Sequence, residues 1–149
     1  MDIKVKLYNL CLEFVSNKLQ TVNLTINEIQ ESLLSETKSS AGDKHETGRA
    51  MLQLEREKAG QQLSEIEKTK QILSKINPET TSKNIGLGSV IFTTQSNYFI
   101  SISAGELKVE NDTFYAISAS TPIGQLLLGK SVGDKVTFRN MNFEVIDIV

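Results

Sequence analysis

The chain of 149 residues carries 16 Lys and Arg against 18 Asp and Glu, a formal charge of −2, and 39% of it is hydrophobic. That suffices for one globular core with an extension, and no apolar run approaches the roughly 20 residues a membrane-spanning helix needs, so no membrane partner is expected. Residues 1–77 hold eleven bases and eleven acids and residues 78–149 hold five and seven, so neither half offers the basic face with which a protein grips DNA or RNA unaided.

The first element expected is a helix over roughly residues 3 to 39. Val5, Tyr8, Leu12, Val15, Leu19, Val22, Ile26, Ile29 and Leu33 recur at alternating spacings of three and four, the stripe by which a helix buries one narrow seam against a partner. A second helix is expected over residues 44 to 77, where Leu52, Ala59, Ile66 and Leu73 repeat every seven residues and Leu63 and Ile76 fill part of the companion row. The Ser- and Gly-containing stretch Ser39–Asp43 between them is short, so each arm finds its mate in the other as an antiparallel coiled-coil hairpin, and the chain reads as a monomer. Helices of this length would carry the turn on the order of 50 Å from the rest of the protein, at about 1.5 Å of rise per residue. Glu55 with Lys58, Glu65 with Lys68 and Glu67 with Lys70 are opposite charges one turn apart, as on a solvated face. Cys11 lies beside the first seam as a packed thiol; with no second cysteine and no secretory pattern at the start of the sequence, a reducing, cytoplasmic setting is expected.

Asn77-Pro78 stops the second helix, because proline disfavours helical geometry in the residue before it. The sequence therefore divides into a hairpin (1–77), a polar linker (78–84) and a second domain (85–149). In that domain strands are expected at Ser89–Thr94 and Tyr98–Ser103, then at Lys108–Val109 and Phe114–Ser118 around Glu110-Asn111-Asp112, and at Lys135–Arg139 and Phe143–Val149 around Asn140-Met141-Asn142. One short helix falls between these pairs. Ser120 or Thr121 caps it, Pro122 suits its first turn, Leu126, Leu127 and Leu128 supply its apolar side and Gly129 ends it. The fold class is α+β: a helical hairpin followed by a small antiparallel sheet wrapped on a short helix.

Asp43 and Glu46 stand at the crown of the hairpin. Three residues apart at a helix start, they match a capping box, in which each side chain satisfies a backbone amide of the other residue's turn. The same pair could instead face one way as two hard carboxylate ligands. His45 reads as an exposed loop histidine, and Arg49 and Arg56 as part of a solvated face or as phosphate contacts.

The run Ser120-Thr121-Pro122-Ile123-Gly124-Gln125-Leu126-Leu127-Leu128-Gly129-Lys130, followed by Val132-Gly133-Asp134-Lys135-Val136, resembles the signature of the bacterial Gre transcription elongation factors. Domain order agrees, since that family joins an N-terminal antiparallel coiled coil to an FKBP-like domain. Its tip pattern Gly-Asp-x-x-Glu falls on Gly42, Asp43 and Glu46. The resemblance implies that the second domain docks at the rim of the RNA polymerase secondary channel, gripping it through Thr121, Pro122 and Gly124, while the coiled coil reaches the active site. There Asp43 and Glu46 would help hold a magnesium ion shared with the polymerase, so that the polymerase cleaves backtracked RNA near its 3′ end. The protein would then be an accessory factor without a cofactor of its own, not an enzyme. Thr47-Gly48-Arg49-Ala50 stand where Gre cleavage factors usually have Asn-Ala-Glu-Tyr, and that departure suits a non-cleaving modulator or inhibitor of the polymerase. A prolyl isomerase or chaperone of FKBP type fits less well, because such pockets are built of aromatic side chains and this chain has no Trp. A purely structural coiled-coil adaptor is the remaining reading.

Overall fold

The computed structural model describes residues 2–38 and 42–149, with the side chains of residues 36–46 outside that description. Two long helices, α1 (Ile3–Lys38) and α2 (Gly42–Ser74), precede β1 (Val90–Thr93), β2 (Asn97–Ser101), β3 (Gly105–Val109), β4 (Asp112–Ser118), α3 (Pro122–Leu127), β5 (Lys135–Phe138) and β6 (Met141–Ile148). The protein is thus α+β, and it divides into two compact units: Val15–Thr69, and Met1–Phe14 together with Lys70–Val149.

The unit Val15–Thr69 is the body of the helical hairpin. Val15, Val22, Ile26 and Ile29 of α1 and Ala59 and Ile66 of α2 are buried, and Leu19, Leu33, Leu52 and Leu63 are half-buried between them. These are the seam positions the heptad spacing marks, so removal of a narrow apolar stripe from water drives the pairing. The polar faces stay wet. Lys68 and Glu65 meet at 3.1 Å with both side chains well exposed, a contact that adds little to stability.

In the other unit six strands form one sheet in the order β3-β4-β2-β1-β6-β5. The expected antiparallel sheet is corrected in one place: β2 pairs β4 in parallel, with Tyr98 opposite Tyr115 and Ile100 opposite Ile117. The cause is the tight β3–β4 hairpin. The chain leaves β2 to lay β3 at the sheet edge, and the two-residue turn Glu110-Asn111 folds β4 back between β3 and β2, so β4 runs in the same direction as β2. The β5–β6 turn falls at Arg139-Asn140, one residue earlier than expected, with both residues at positive φ.

The sheet is covered on both faces. Ile91, Tyr98, Ile100, Val136, Phe143 and Val145 gather with Leu127 of α3 and with Ile85 on one side. The alternate residues Val90, Phe99, Ser101, Phe114 and Ala116 are buried as well, and Phe92 meets the edge of Phe114 at 5.6 Å. A strand buried on both faces needs a second covering layer. The beginning of α1 supplies it: Leu7 and Cys11 are fully buried, and the Cys11 thiol lies 3.6 Å from the Ser101 hydroxyl. This corrects the start of the seam. Leu12, expected to pack against α2, is 43% exposed, because the first three turns of α1 turn Lys4, Leu7 and Cys11 toward the sheet instead. Near the same turns the Tyr8 hydroxyl donates to the Leu73 carbonyl at 3.0 Å, so the start of α1 lies beside the end of α2 as an antiparallel hairpin requires.

The second helix ends at Ser74, before Pro78 is reached. Tighter bonds from the Lys75 amide to the Ile72 carbonyl and from Ile76 to Leu73 close the last turn. Asn77 then shapes the exit: its side-chain oxygen accepts from the Glu79 amide and its backbone carbonyl from the Thr80 hydroxyl.

Candidate functional site

The entry to α3 is the best defined of the sequence-marked sites. Thr121 is its N-cap: the hydroxyl accepts from the Gly124 amide at 3.1 Å and donates to the Ser118 carbonyl at 2.7 Å. Ser120, the other capping candidate, instead shares a 2.9 Å hydroxyl contact with Ser118. Pro122 occupies the first turn and stays exposed, as its missing amide allows.

Gly124 has a steric reason to be glycine. A Cβ there would sit 2.3 Å from the Ser118 carbonyl oxygen and 2.9 Å from the Thr121 hydroxyl, so the loop closes on the helix only where no side chain intervenes. Gly129, at φ 81°, lets the chain leave the helix, and its amide donates to the Ile85 carbonyl at 2.8 Å. Of the three leucines expected on the apolar side only Leu127 is buried; Leu126 and Leu128 are 40% and 39% exposed. Consecutive residues project about 100° apart around a helix, so three in a row do not share a face. The Gly133-Asp134 turn is closed by the Asp134 carboxylate, which accepts from the Ser131 amide at 2.8 Å and from its hydroxyl at 3.3 Å.

The tip carboxylates Asp43 and Glu46 belong to the first turns of α2, and their side chains, like that of His45, lie outside the described residues. Among the described residues no group of three or more His, Cys, Asp or Glu side chains converges as a metal site. No helix among them is long and apolar enough to cross a membrane.

Two groups are buried at the root of the hairpin: Cys11, expected there as a packed thiol, and Lys4, which carries no warning in the sequence. Burial pushes the Cys11 thiol above its ordinary pKa, with the Ser101 contact opposing, so the neutral thiol is favoured. Lys4 is 4% exposed, and its ammonium donates to the Thr80 carbonyl and, at 3.5 Å, to the Val149 carbonyl. Desolvation pulls its pKa below the usual lysine range, against the pull of Asp2. Lysine is so seldom buried that its position in an otherwise apolar heptad gives no hint of this. Chemically, the entry to α3 is a hydrogen-bonded loop that can be presented to a partner.

Neither a protein-family model nor a curated protein sequence matches this chain.

Proposed function

We propose that the protein is a Gre-like accessory factor of RNA polymerase, which docks through an FKBP-like second domain and works through the crown of its helical hairpin. The observation that carries this reading is the combination, in one chain, of the hairpin with a sheet domain in which Ser120–Lys130 forms a tightly capped short helix. The entry loop Thr121-Pro122-Ile123-Gly124 is held by hydrogen bonds at both ends, so it meets a partner already shaped. With Pro122 exposed and Leu126 and Leu128 partly so, the same short helix offers an apolar edge that suits a protein partner better than a nucleic acid.

At the crown, Asp43 and Glu46 are the candidate metal-holding pair. Two carboxylates suit magnesium in kind and fall short of it in number, since that ion takes near-octahedral oxygen ligation. They would hold it only jointly with the polymerase. When bound, the ion supplies a polarised water and charge stabilisation for phosphodiester cleavage. The contribution of this chain is to deliver two negative charges, and α1, at 36 residues, is about 54 Å long. The protein has no need of a catalytic centre of its own.

The second reading is a non-cleaving modulator that occupies the channel. It is favoured by Thr47-Gly48-Arg49-Ala50, which put a glycine and a base into the helix directly after Glu46. Adding the protein to a stalled, backtracked elongation complex separates the two. Short 3′ RNA fragments that depend on Asp43 and Glu46 support the cleavage reading; slowed nucleotide addition without fragments supports the modulator. Failure to bind polymerase at all overturns both.

A further inference from the structure

An open groove of about 500 Å³ runs along the sheet domain, with Thr81, Ser82 and Lys83 on one wall and Ser131, Val132 and Ile148 on the other. The first wall is the segment that leaves α2; the second belongs to the approach to β5 and to the end of β6. These walls are far apart in sequence, and both are secured at one point. The Lys4 ammonium donates to the carbonyl of Thr80, next to the first wall, and at 3.5 Å to that of Val149, next to the second. Each acceptor is itself anchored: the Thr80 amide and hydroxyl both bond the Asn77 carbonyl, while Val149 exchanges two backbone bonds with Val90. Lys4 is fixed from its own side, because its amide donates to the Asp2 carboxylate at 3.0 Å.

A lysine 4% exposed in this way is costly unless its charge is satisfied by hydrogen bonds. The backbone oxygens of Thr80 and Val149 satisfy it. An apolar side chain of the same length would cover α1 equally well without reaching for either wall. We propose that Lys4 is a charged clasp holding the two walls of the groove together, so that its ammonium decides whether residues 79–84 are docked against the sheet domain or released from it. The groove is then an adjustable opening, set by one proton-bearing group at the start of α1.

Hydrogen exchange read by mass spectrometry on the full chain tests this. Lys4→Met keeps length and apolar stem and removes the charge; it should speed exchange of the amides in residues 79–84 and 147–149 by about tenfold, the loss expected of one charge-assisted bond. Exchange at the centres of β2 and β4 should be unchanged, and Lys4→Arg should restore much of the protection. Unchanged exchange in 79–84 overturns the clasp, and so does an acceleration spread evenly over the sheet, which would mark a general loss of stability. If Lys4→Met does not fold, the unmodified protein decides by nuclear magnetic resonance. A Lys4 ammonium signal protected from water supports the clasp, and its exchange at the rate of a solvated lysine overturns it.

Discussion

The Cys11 thiol of α1 and the Ser101 hydroxyl of β2, ninety residues apart in sequence, meet at 3.6 Å with both side chains withdrawn from water. The contact ties the first turns of α1 into the layer that covers the sheet. Alkylating reagents should therefore modify Cys11 slowly in the folded protein and fast in denaturant, which a mass-resolved labelling time course measures.

Alkaline titration gives the same thiol a thermodynamic signature. Its pKa is raised on folding, so the folded state holds the proton more firmly; stability is complete below the unfolded thiol pKa, near 8.5, and declines as pH climbs past it. Thermal melts between about pH 7.5 and 9.5 should show wild type losing more stability over that window than Cys11→Ala does.

At the entry to α3, Gly124→Ala should destabilise by about 1–3 kcal/mol, because the new methyl meets the Ser118 carbonyl oxygen, which belongs to backbone and cannot swing away. Thr121→Ala should cost about 1 kcal/mol as a lost N-cap, and Thr121→Ser nearly nothing. Denaturant midpoints read these effects. If the loop also grips a polymerase, Pro122→Ala should weaken binding in a pull-down while leaving the midpoint almost unmoved.

For the crown, Asp43→Asn discriminates between two roles. Asparagine still caps a helix but no longer brings a negative charge, so abolished RNA cleavage with unchanged melting temperature marks metal delivery. A silent Asp43→Asn combined with an Asp43→Ala that loses about 1 kcal/mol marks capping alone.

A fragment starting at residue 78 should fold poorly. It lacks Leu7, Cys11 and Leu73, all buried in the same compact unit as the sheet, and leaves Phe99 and Phe114 without that cover. Reduced thermal stability and dye binding by exposed apolar surface are the expected results, and restoration on adding residues 1–14 in a fused form would localise the cause.

The elements legible in the sequence are those with an uninterrupted period. Val15, Val22, Ile26 and Ile29, with Ala59 and Ile66, sit at seam positions and are buried there. Five of the six strands fall within two residues of expectation, helped by the turns at Glu110-Asn111 and Arg139-Asn140, whereas β3 begins three residues before the expected Lys108. Two things escape such reading. Phe99 and Ser101 alternate with Tyr98 and Ile100 in a pattern that suits a strand with one wet face as well as one covered twice, so the role of α1 as a covering layer is hidden. The β2–β4 parallel pairing is hidden as well, since periodicity within strands says nothing of their order. At the candidate sites, residue type narrows the cap to Ser120 or Thr121 and marks Gly129 as a stop, but the choice of Thr121 and the carbonyl of Ser118 that makes Gly124 obligatory are visible only in three dimensions.

The pairing of β1 with β6 has a kinetic meaning. Ile91 is partnered by Ile148, so a strand at the middle of the sheet stays without one neighbour until more than fifty later residues have been laid down and brought back. Loop closure of that length comes before any reward from packing, and folding of the sheet should be governed by it, on the millisecond-to-second scale of non-local β structure rather than the microseconds of the helices beside it. During that delay the apolar side of α1 that ends up against β2 must wait, preformed, for a surface that does not yet exist.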